Sequence, residues 1–93
     1  MKARKLLQES VNVEGSDTGA PYHIGVDLND GRWGAQASRR YGLTLTPQGP
    51  NGFPTLTGTI PTLDLVKSFA EDFGAKTIIL EPHESGTSAV FEA

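Results

Sequence analysis

His23 and Asp27 stand four residues apart in the alternating segment Tyr22-His-Ile-Gly-Val-Asp27, and a histidine near a carboxylate is the pairing that general-base catalysis uses. On a strand that spacing spans about 13 Å, beyond direct hydrogen-bond reach. No serine or lysine is placed beside the pair as a nucleophile. His83 and Glu84 could ligate a metal, but such a site needs three or four convergent ligands, and Glu81 and His23 are the residues left to complete one. The expectation there is a solvated loop. Asp27-Leu-Asn-Asp-Gly31 carries the oxygen ligands and glycine of a calcium loop, yet the glycine comes one residue early and Ser38 stands where the bidentate glutamate belongs. Arg32, Arg39 and Arg40 are the basic cluster outside the N-terminus, with Arg32 and Arg39 two helical turns apart beside Trp33. That face could meet a carboxylate, a phosphate or RNA, and a solvated helix surface is the expectation. No catalytic, cofactor-binding or metal residue is assigned, and the chain is read as a non-enzyme.

Composition narrows the classes further. The 93 residues suit one modest core, and 37% hydrophobic content is low for a globular chain. With no cysteine there is no disulfide, iron–sulfur or thiol chemistry, which fits a cytoplasmic protein. Lys2, Arg4 and Lys5 lead into only Leu6-Leu7, too short for a signal peptide, and no apolar run reaches the length of a membrane span. The net charge is −3, divided as +1 over residues 1–41 and −4 over residues 42–93. That acidity argues against nucleic acid as a partner and leaves an acidic C-terminal half that could meet a basic protein.

The elements follow from periodicity and punctuation. Ala3, Leu6, Leu7 and Val11 have helical spacing, so residues 2–10 are expected to form a short amphipathic helix, joined by a small, polar linker over residues 12–20. Tyr22, Ile24, Val26 and Leu28 alternate with polar or small residues and predict a half-buried strand. Asn29-Asp-Gly31 can turn and cap a helix over residues 31–41, with Trp33, Ala37 and Tyr41 on one face. Leu43 to Thr46 and Thr55 to Ile60 predict a hairpin around the turn-forming residues 47–52. If Thr46 faces Thr55, then Leu45 faces Leu56 and Thr44 faces Thr57, which places leucines on one side and threonines on the other. Pro61-Thr62 opens a second helix whose stripe is Leu65, Val66, Phe69, Ala70 and Phe73, closed by Gly74. Thr77 to Leu80 predicts a buried strand stopped by Pro82, and residues 83–93 are read as a tail or edge strand.

Tyr41-Gly42 and Phe73-Gly74 close the two helices 32 residues apart, so strand, helix, strand is spelled twice. The predicted fold is an α+β, ferredoxin-like βαββαβ sandwich over residues 21–82, an antiparallel sheet with both helices on one face. The N-terminal helix and linker over residues 1–20 are additions. The opposite face would then carry His23, Asp27, Thr44, Thr46, Thr55, Thr57 and Thr59, with Thr77 and Glu81. This threonine-rich surface is the candidate interaction site. It suggests a protein partner, a homodimer or the N-terminal helix as occupant.

Val26 through Leu45, with a glycine in the strand–helix turn and Tyr-Gly before the next strand, resembles ACT-type amino-acid-sensing domains. The resemblance implies βαββαβ order and ligand binding at that turn, which here is one residue longer than the family's Asp-x-x-Gly. The basic start, Arg39-Arg-Tyr-Gly-Leu43, Gly49-Pro-Asn-Gly-Phe-Pro54 and Phe73-Gly74 are together similar to small bacteriophage accessory proteins. That likeness implies binding to, or inhibition of, a host protein. Acylphosphatases match in size and topology, but their arginine-bearing glycine loop is not found after the first strand. A hydrolase or metal-dependent enzyme built on His23 or His83 is therefore the third reading, after the interaction module and the sensor.

Overall fold

The computed structural model describes residues 11–19 and 21–93, and the helix expected over residues 2–10 lies outside the described residues. In chain order the elements are β1 (Asn12–Glu14), β2 (Tyr22–Asp27), α1 (Gly31–Tyr41), β3 (Thr44–Thr46), β4 (Thr55–Ile60), α2 (Leu63–Phe73), β5 (Thr77–His83) and β6 (Gly86–Glu92). The strands form one mixed sheet in the order β1-β5-β6-β2-β4-β3, so the molecule is a small α+β domain.

Local chemistry sets both helices. Asp30 caps α1, its carboxylate accepting the Arg32 amide at 2.8 Å, and Thr62 caps α2 by accepting the Leu65 amide at 3.3 Å. Gly42 and Gly74 end the two helices at φ 71° and 92°, where a side chain would be strained. Gly34 lets α1 approach the sheet closely, since a Cβ there would lie 2.5 Å from Leu28 Cδ1 and 2.9 Å from Leu45 Cδ1. Both helices cover one side of the sheet, burying Tyr22, Ile24, Leu56, Ile60, Val66, Phe69 and Ile78 in a single core. Phe69 is its hub, with the rings of Trp33, Tyr41, Phe73 and Phe91 all within 6.1 Å centroid to centroid.

The hairpin register is as the leucine and threonine pattern requires: Thr44 faces Thr57, Leu45 faces Leu56 and Thr46 faces Thr55. Elsewhere the structure corrects the sequence reading. The predicted order would join β5 to β2, but β6 stands between them, antiparallel to β5 and parallel to β2. Residues 86–92 are thus an interior strand rather than a tail or edge. They turn back through the two residues Glu84 and Ser85 and bury Thr87 and Ala89 on the core side, with Phe91 packed beside them. Asn12–Glu14, read as linker, pairs parallel to β5 because Val13 lies opposite Ile78 and packs on the core. Pro82 does not stop β5; it lies past the last β1 pair, at Glu14 and Ile79, where β5 has a neighbour on one side only. Leu65, expected in the α2 stripe, is 40% exposed, and Leu63 packs on the core instead.

Candidate functional site

The sheet face turned away from the helices is built by alternation, and the register of the strands orders it into rows. One row runs Glu14, Ile79, Val90 across β1, β5 and β6, and a second runs Glu81, Ser88, His23, Thr59 across β5, β6, β2 and β4. Gly25, Thr57 and Thr44 align across β2, β4 and β3, and Asp27, Thr55 and Thr46 follow beyond them. Thr44, Thr46, Thr57 and Thr59 are exposed. Thr55 is not: it is 8% exposed, because its hydroxyl lies 3.0 Å from both Asp27 Oδ1 and the Phe53 carbonyl under the β3–β4 turn.

Asp27 does not approach His23. Its carboxylate accepts Asn51 Nδ2 and Thr55 Oγ1, each at 3.0 Å, and so ties the β3–β4 turn to the end of β2. His23 instead meets His83, the chain's other histidine, with ring centroids 4.7 Å apart and planes at 43°. The sequence separates them by 60 residues, and the β5–β6 hairpin tip brings them together beside Gly86. His83 Nδ1 accepts the Ser85 amide at 3.3 Å, whereas His23 Nε2 is buried with no hydrogen-bond partner. No hydroxyl nucleophile is aligned with either ring by a hydrogen bond among the described residues. Among the described residues no three His, Asp or Glu side chains converge as a metal site.

A second constellation, missed in the sequence, lies between the helices. A cleft of about 220 Å³ is lined by Trp33, Gln36, Ala37, Arg40, Tyr41 and Asp72. Tyr41 donates to Asp72 Oδ2 at 2.6 Å with Ser68 Oγ 3.2 Å away, and Arg40 Nη1 pairs with the same carboxylate oxygen at 3.1 Å. Burial first, and the bond to Asp72 second, hold the Tyr41 phenol above its ordinary pKa. Each charge here already has a partner, and Arg40 is withdrawn from the Arg32 and Arg39 cluster to clamp α1 to α2. At the β2–α1 turn, where the resemblance placed a ligand, the Asp30 carboxylate already occupies the anion-binding end of α1.

A scan against protein-family models, a search of the curated proteins and a search of the solved structures return no match to this chain.

Proposed function

We propose that this chain is a non-enzymatic protein–protein interaction module whose working surface is the open face of its sheet. The observation that carries the reading is the one-sided architecture. Four of the six strands present Thr44, Thr57, Thr59, Ile79 and Val90 on a face that no described helix covers, and Val90 is 37% exposed. A flat face of short, branched side chains loses little rotamer freedom when covered, which favours docking over ligand enclosure. In the setting that the sequence style suggests, a bacteriophage accessory protein, the partner is a host protein.

The test compares wild-type chain, Thr57→Lys and Arg39→Glu as baits. A partner retained by wild type and by the helix-side variant, but lost by Thr57→Lys, supports the open face. Equal retention by all three would place the contact elsewhere and sink the reading.

A further inference from the structure

The open face is not evenly charged. Its strand positions hold Glu14, Asp27, Glu81 and Glu92 and, among the described residues, no lysine or arginine. Arg32, Arg39, Arg40, Lys67 and Lys76 all lie on the helices or in the turn after α2. Three of the carboxylates surround one aliphatic pair. Ile79 and Val90 face each other across β5 and β6, and Glu14 is the neighbour of Ile79 on β1. Glu81 follows two residues after Ile79 on the same face, and Glu92 two residues after Val90, so each lies within about 7 Å of strand rise. Glu14, Glu81 and Glu92 are exposed, and among the described residues none of them is in an ion pair.

An apolar centre with a charged rim is the anatomy of a docking patch, and the sign of the rim names the partner. We propose that the occupant of the open face is a basic protein segment, with an aliphatic side chain seated on Ile79 and Val90 and flanking lysines or arginines on Glu14, Glu81 and Glu92. A second copy of the chain fits poorly, because a two-fold axis through this face would set carboxylates against carboxylates. Nucleic acid is excluded by the same sign. The inference rests on the interaction-module reading and adds the chemistry of the partner.

The test titrates the full chain with a terminally blocked peptide of alternating lysine and valine at low ionic strength, followed by backbone-amide NMR. Counterparts with serine or glutamate in place of lysine serve as controls. The lysine peptide should shift amides in residues 77–81 and 88–92, and added salt should release it. Glu81→Lys/Glu92→Lys, both at exposed positions, should keep its thermal midpoint while binding about tenfold more weakly. Shifts confined to the helices, binding indifferent to that double variant, or no binding would overturn the proposal. Equal or tighter binding of the serine or glutamate peptide to the same face would overturn the basic partner and leave the interaction module standing. A free chain whose face is already covered by a second copy in sedimentation would do the same, and Leu6 or Leu7 in NMR contacts to Val90 would overturn a separate partner, the occupant then being the chain's own basic Lys2-Ala-Arg-Lys-Leu-Leu7 segment.

Discussion

Phe69 is fully buried and touches four other rings, so Phe69→Ala removes both transfer free energy and the packing of its neighbours. The expected cost is about 3–5 kcal/mol by urea unfolding, and a loss under about 1 kcal/mol would show that the core closes without it. Gly42 and Gly74 have open space where a Cβ would go, so alanine at either adds backbone strain alone, about 1 kcal/mol in the same experiment. Tyr22 carries the larger part of the alkaline pH dependence, ahead of Tyr41. Burial, with a hydrogen bond donated to Asp17 as the second cause, pushes its phenol up to about 12. The folded chain therefore keeps a proton that the unfolded chain releases near pH 10. That contribution is complete below about pH 10 and disappears as pH rises through 12, so absorbance at 295 nm should show a late tyrosine whose ionisation coincides with unfolding. Tyr22→Phe should flatten the alkaline loss of stability; an unchanged profile would assign it to another group.

Elements were legible where one residue type carries one physical role. Helix ends followed from Asp30, Thr62, Gly42 and Gly74, and the hairpin register followed from leucines that must share a side. What was hidden is tertiary. Glu84-Ser85-Gly86 has the composition of a loose loop, and nothing local says that it is a two-residue turn feeding an interior strand. Residues 12–14 are short and polar enough to read as linker, and only Ile78 across the pair gives Val13 a reason to be strand. The meeting of His23 with His83, and Thr55's burial, depend on those placements and were invisible for the same reason. The cleft at Tyr41 and Asp72 was equally out of reach, since it needs the two helices side by side. The corrected topology makes its own prediction: a chain ending at Ser85 loses the strand that joins β5 to β2 and uncovers Phe69 and Phe73. It should show no cooperative unfolding transition, whereas a sharp transition near the full-length midpoint would mean that β6 is dispensable.

At the scale of the molecule, the helix side holds cations and carboxylates together while the sheet side, among the described residues, holds carboxylates and neither lysine nor arginine. Thr57 is exposed on the latter, on the strand next to the β3 edge, so Thr57→Lys should change the stability of the free chain by no more than about 0.5 kcal/mol. A large loss in denaturant unfolding would reveal that the isolated chain already packs something against this face.

The position of β6 also orders events in time. It is the last of the six strands to be synthesised, yet it sits near the middle of the sheet, held to β2 through Tyr22 with Thr87 and His23 with Ser88. Before it is made, β2, β4 and β3 can pair with α1 across them, but β5 has no strand partner in that half and is joined to it only through α2, while β1 has only β5 to pair with. The sheet is therefore joined across its middle only by sequence-distant pairing, which is slow to form. Completion requires β6 to enter between β5 and β2, and until it does Phe69 and Phe73 lack the ring of Phe91.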